Sequence, residues 1–231
     1  MRVISPYEFR NEFPPGEGLA IVGNARSLLD WEFGSNIDKH SVVVRFNEST
    51  VEGFEKHVGA RTDILVTNPY AETRPGKRLA DHCCRCVIVI TPQVPRGDKK
   101  IFEEWVGDNK VLFTYTPSLI GVENPDHQAG LTTGTYAIQL LGRILRPRKL
   151  LLTGFTMFAE ATDSHYFKSG VPSGVRFHDL PTEAGVFCRI VNGLQAETAT
   201  TPDVSSIFAR VGEQRAPHVR PLSVSKNLLS E

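Results

Sequence analysis

Six short apolar runs, at 19–22, 42–46, 64–66, 87–90, 111–113 and 150–152, constrain the fold of this chain more than any other feature. They are rich in β-branched residues and do not alternate with polar ones, so each asks to be buried on both faces, as strands inside a parallel sheet are. Stretches of helical periodicity lie between several of them. The clearest is 133–145, where Ala137, Ile138, Leu140, Leu141, Ile144 and Leu145 recur at spacings of three and four. The alternation predicts an α/β fold with a mostly parallel central sheet flanked by helices.

A chain of 231 residues with 40% hydrophobic and 23% charged residues can bury a substantial core, and a single domain over 1–231 is the simplest division. The 19 Gly and 15 Pro gather between the apolar runs rather than in one linker. Two segments depart from the pattern. Residues 156–177 are polar and too long for a routine connection, which predicts an active-site loop. Residues 213–231 have little periodicity, which predicts a loose tail.

The 26 Lys and Arg balance the 26 Asp and Glu, which argues against a nucleic-acid partner bound through phosphate neutralisation. No apolar run approaches the roughly 18 residues of a membrane span, and the first residues lack a secretory signal, so the expected location is the cytoplasm. Cys83, Cys84, Cys86 and Cys188 have neither zinc-knuckle nor disulfide-framework spacing. The segment from His82 to Cys86 enters a strand whose side chains alternate faces, which suits buried reduced thiols better than a tetrahedral metal site.

In an open parallel sheet, ligands bind outside the carboxyl ends of the strands. The residues expected there are similar in kind: Gly23-Asn24, Asn47, Asn68, and Gly154-Phe155. Carboxamides offer donors and acceptors at fixed geometry, suited to a sugar, base or phosphate, although Asn and Gly are also what turns demand. Thr132, Thr133 and Gly134 open the long helix, where backbone N–H groups and hydroxyls make an anion cradle or a plain cap. Neither a Walker A motif nor a GxGxxG is present, and no Asp-x-Asp offers a divalent ion a carboxylate pair, so no metal cofactor is expected. No GxSxG elbow supports a hydrolase. His165 lies in the long loop, and His178 precedes a helix start marked by Pro181 and Glu183. Imidazoles can take a proton from a hydroxyl or carry one to a leaving phosphate.

Taken in order, these residues resemble the motifs of the sialyltransferase family. Ala20-Ile21-Val22-Gly23-Asn24, Ile37-Asp38-Lys39-His40 and Val44-Arg45-Phe46-Asn47 are similar to its large motif. Gly130-Leu131-Thr132-Thr133-Gly134 through Leu152-Thr153-Gly154-Phe155 is similar to the small motif, His165-Tyr166 to the third, and His178 with Glu183 to the very small one.

The resemblance implies a Rossmann-like, GT-A-like nucleotide-binding glycosyltransferase domain and a CMP-activated 2-keto sugar acid as donor. Transfer to a hydroxyl of a glycan or glycolipid acceptor would proceed with inversion and without metal. Carried onto this chain, it places Asn24 and Asn47 on CMP, Thr132, Thr133 and Gly134 on the donor, His165 with Tyr166 at the phosphate, and His178 as general base. Sialic acid and Kdo stay open as the transferred sugar, and a non-catalytic nucleotide-binding protein of the same fold is the alternative from another class. The family's disulfide between large and small motifs is not expected, because Leu19 and Ala20 stand where a cysteine would be. Without the amino-terminal anchor of Golgi members, the chain resembles short bacterial forms, expected in the cytoplasm with peripheral membrane association through a glycolipid acceptor.

Overall fold

A computed structural model describes residues 1–14, 16–68, 84–90, 97, 99–113, 131–159, 164–170 and 178–223. Among them, strands β1 (Arg2–Val3), β2 (Leu19–Val22), β3 (Val42–Phe46), β4 (Ile64–Thr67), β5 (Cys86–Val89), β6 (Lys110–Phe113), β7 (Lys149–Thr153), β8 (Glu197–Thr200) and β9 (Val219–Pro221) form one sheet. Its order is β1-β6-β5-β4-β3-β2-β7-β8-β9, with every pair parallel. All residues of β2, β3, β4 and β5 are buried, as continuous apolar runs require.

Helices cover both faces. On one side Leu19, Ile21, Val44, Phe46, Val66 and Ile88 pack against helices α1 (Pro6–Glu12), α5 (Thr133–Leu145), α6 (Leu180–Gly193) and α7 (Pro202–Val211). On the other side Ala20, Val22, Val43 and Leu151 meet a 3-10 helix (Arg26–Asp30), α2 (Gly34–Asp38) and α3 (Glu55–Val58). Helix α4 (Lys99–Val106) covers Leu65, Val87 and Val89 through Phe102 and Trp105. At roughly 1.5–3 kcal/mol per fully buried aliphatic side chain, these two layers dominate the stability of the sheet.

Helix starts follow local chemistry. Ser5 caps α1 in a reciprocal box with Glu8, and Asp179 caps α6 with a proline in its first turn. One apolar run conceals a charge: Arg45 in β3 is fully buried, and its guanidinium donates to the carbonyls of Val58, Gly59 and Arg61. It ties the carboxyl end of α3 to the sheet.

The expected tail requires correction. Within 213–231, Val219–Pro221 is strand β9, paired in parallel with β8, and Val219 is buried in the core. A segment this short shows no period of its own; its place comes from the open edge of β8. Residues 224–231 lie outside the described set. Cys84, Cys86 and Cys188 are buried thiols outside any disulfide, and burial pushes Cys86 and Cys188 up to about 12. Cys83 and His82 lie outside the described residues. Among those residues, no helix is long and apolar enough to cross a membrane.

Candidate functional site

The chain order defines where a ligand can sit. From β2 the chain steps outward through β3, β4, β5 and β6, then crosses back so that β7 pairs with the other side of β2. The reversal falls between β2 and β7, and the crevice beyond their carboxyl ends is the topological switch point of the sheet. Helices α5, α6 and α7 each lead into a parallel strand, so their amino termini face that same edge with their positive dipole ends.

The two exits at the switch point are pressed together. A β-carbon on Gly23 would lie 2.1 Å from the carbonyl oxygen of Gly154, so no larger residue fits there without moving backbone. Gly154 has φ +77°, in the left-handed region that favours glycine. Gly23 N donates to Thr153 O at 2.8 Å and Ala25 N to Gly154 O at 3.0 Å, which continues the pairing past the strands.

Asn24 and Asn47 flank this contact, each with a buried carboxamide oxygen left open. Asn24 Nδ2 donates to Phe46 O at 3.0 Å, while its Oδ1 is buried without a hydrogen-bond partner. Asn47 sits at φ +50°, which Asn tolerates better than most residues, and its Oδ1 is buried and unsatisfied as well. An orphaned buried acceptor costs about 1–3 kcal/mol, so two at one sheet edge are suited to N–H or O–H groups of a ligand. Asn68 follows β4, two strands from the switch point, and its carbonyl accepts from Thr67 Oγ1.

The α5 start is held by a carboxylate from the neighbouring helix. Thr132 caps α5. Glu183, 0% exposed in the first turn of α6, accepts on Oε1 from Thr132 N at 2.9 Å, Thr132 Oγ1 at 2.6 Å and Thr135 Oγ1 at 2.5 Å. Its Oε2 has no hydrogen bond and lies 4.0 Å from His178 Nδ1. Glu183 therefore joins the helix start to His178. Thr133 opens the first turn, and Gly134 packs against the Phe155 ring, which itself meets Phe46 and Phe187.

His165 and Tyr166 reach the site by strand-like pairing. Ala25 and His165 form an antiparallel bridge, Arg26 N donates to Ser164 O at 2.9 Å, and Tyr166 N donates to Asn24 O at 3.0 Å. The Tyr166 hydroxyl donates to Thr50 O at 2.5 Å, and its ring packs on Phe54 and Phe167. The His165 imidazole lies near Phe158 and Phe167, and burial, then the charge of Lys168, push it down to about 4. Met157 and Phe158, which lead out of β7, both have positive φ, a strain of the kind that collects at functional sites.

A contact path thus runs from Glu183 and Thr132 through Gly134, Phe155, Gly154, Gly23 and Asn24 to His165. Of the segments expected to border this edge, residues 126–130, 160–163 and 171–177 lie outside the described set.

One residue of this edge is not legible in the sequence. Asp203, buried in the first turn of α7, accepts from Ser27 Oγ at 2.8 Å, Gly154 N at 2.9 Å, Thr201 Oγ1 at 2.5 Å and Val204 N at 2.9 Å. Burial pushes its carboxyl up, against the pull of these donors. Thr201-Pro202-Asp203 is a readable helix start, but nothing local tells that the carboxylate reaches β7.

Comparison with known proteins bears on the same edge. Residues 17–91 match the family model of glycosyltransferase family 29 (sialyltransferase). Over 64 residues the chain is 41% identical to the beta-1,6-galactosyltransferase GALT29A of Arabidopsis thaliana, covering 28% of this chain and 16% of that protein. Over 49 residues it is 47% identical to the human CMP-N-acetylneuraminate-beta-1,4-galactoside alpha-2,3-sialyltransferase, covering 21% and 13%. These matched segments span less than a fifth of either relative's length. The crystal structure of a mammalian sialyltransferase superposes with a TM-score of 0.54 at 20% identity, over 90% of this chain and 69% of that one, a likeness of fold.

Proposed function

We propose that the chain, whose residues 17–91 match the sialyltransferase family model, is a metal-independent, inverting glycosyltransferase moving sialic acid from CMP-sialic acid to an acceptor glycan hydroxyl. The observation that carries the proposal is the pair of buried, unsatisfied carboxamide oxygens of Asn24 and Asn47 beside the switch point. Ribose hydroxyls and the cytosine amine are donors, and they are the groups these oxygens lack.

In this reading, the phosphate lies toward the α5 start and His165. His165 by itself is neutral near pH 7, so it meets the phosphate as an N–H donor, and a bound phosphate raises its proton affinity. Fixed donors aimed at charge that develops on departure lower a barrier by about 3 kcal/mol each. His178 takes the proton from the acceptor hydroxyl as that oxygen attacks the anomeric carbon. CMP leaves from the opposite face, and inversion follows. With Nδ1 facing Glu183 Oε2 at 4.0 Å, Nε2 is the nitrogen left to meet the acceptor hydroxyl.

The human relative's name supports sialic acid, whereas the Arabidopsis relative is a galactosyltransferase of comparable identity. The shared segment therefore supports the nucleotide-binding half more than the sugar. The test is a panel of CMP-sialic acid, CMP-Kdo and a nucleotide-activated galactose, with acceptor glycans, read by mass spectrometry, with and without EDTA. The expected result is transfer from CMP-sialic acid that EDTA leaves intact and that His178→Ala lowers about 100- to 10,000-fold. Transfer from another donor reassigns the sugar, and transfer from none of them overturns the proposal.

A further inference from the structure

We infer that Lys168 is a further binding residue of this site, the cation that meets the phosphate of the nucleotide donor; the inference rests on the nucleotide reading above. His165 and Lys168 close a tight turn in which Lys168 N donates to His165 O at 3.2 Å, and they pair as an antiparallel bridge. On its other side His165 pairs with Ala25. Residues directly opposite in antiparallel pairs send their side chains to the same face, so Ala25, His165 and Lys168 share one face beside Asn24. The stem of Lys168 then reaches across to the exit of β3, where Nζ stands 3.5 Å from Oε2 of Glu48, the neighbour of Asn47. The Lys168 side chain thus runs from its pairing with His165, the imidazole proposed for the phosphate, to the β3 exit that carries Asn47.

Its present partnership is easily exchanged. The Lys168 side chain is 63% exposed and the contact with Glu48 is long, the kind of surface pair that contributes little. A phosphate offers a stronger charge-assisted bond to the same ammonium. The need for such a cation follows from its neighbour: burial and Lys168 itself hold His165 neutral near pH 7, so the positive charge at this corner is carried by the lysine. Arg210 is committed to Thr156 O at 2.8 Å. Arg26, exposed beside Ala25, is the rival cation, and the experiment includes it.

The test is calorimetric titration of the full chain and its Lys168→Met, Lys168→Arg and Arg26→Met variants with CMP and with cytidine, which lacks the phosphate. Lys168→Met is expected to weaken CMP about tenfold and leave cytidine unchanged. Lys168→Arg should restore CMP to within about twofold, and Arg26→Met should change neither. If wild type binds CMP and Lys168→Met binds it equally well, or if Arg26→Met alone weakens it, the role of Lys168 is overturned and the nucleotide reading stands. If wild type binds neither ligand, both fall.

Discussion

Glu183 shows what a single residue decides here. Its carboxylate holds three donors at the α5 start with one oxygen and faces His178 with the other. Glu183→Ala should cost roughly 3 kcal/mol or more, because buried donors lose a charged partner, and urea denaturation measures it. A loss below about 1 kcal/mol would mean that the threonines find other partners. His165 makes a second prediction, with its sign set by the depressed pKa. The folded protein keeps His165 neutral down to about 4, while the unfolded chain takes up its proton near the ordinary 6.5. Stability from this residue is complete above pH 6.5 and is lost as the pH falls toward 4, by on the order of 2 kcal/mol. His165→Asn should remove that part of the acid sensitivity, seen as a smaller difference between denaturation midpoints at pH 7 and pH 4.5. An unchanged difference would place the acid lability elsewhere. Both histidines were legible as candidates from the sequence, because their loop and helix-start contexts are local. The link from Glu183 to Thr132 was not, since no local pattern foretells a side chain that crosses between helices 51 residues apart.

At the scale of elements, the six strands β2 to β7 were readable and β1, β8 and β9 were not. The runs at 19–22 and 42–46 became β2 and β3 without change, because full burial on both faces leaves an unbroken apolar signature. β8, with the sequence Glu197-Thr198-Ala199-Thr200, is mostly polar and owes its place to pairing with β7. The two-residue β1 and three-residue β9 are too short for any period. The most sensitive junction between elements is the contact of the β2 and β7 exits. Gly23→Ala puts a methyl against the Gly154 carbonyl, and the cost should reach several kcal/mol, because the obstacle is backbone. Loss of soluble protein, or a melting temperature lower by about 10 °C or more, is the expected outcome. A variant as stable as the parent would show that the two exits can separate.

At the scale of the whole molecule, the parallel order of the sheet turns local features into one site. Gly23, Asn24, Asn47, Gly154 and the amino termini of α5, α6 and α7 belong to distant parts of the sequence, yet all lie at one edge because every strand runs the same way. That convergence was foreseeable from the fold class. The choice of β2 and β7 as the meeting point was not, since it depends on the order in which strands pair. Asp203 reinforces it from the far end of the chain by fixing Gly154 N to Ser27 Oγ. The central claim is that one cytidine monophosphate group occupies this edge. Amide chemical shifts recorded during a CMP titration test it most directly, with the largest shifts expected at Asn24, Asn47, Thr133–Thr135, Gly154 and His165–Lys168. Shifts confined to another part of the sheet, or none at millimolar CMP, would contradict it.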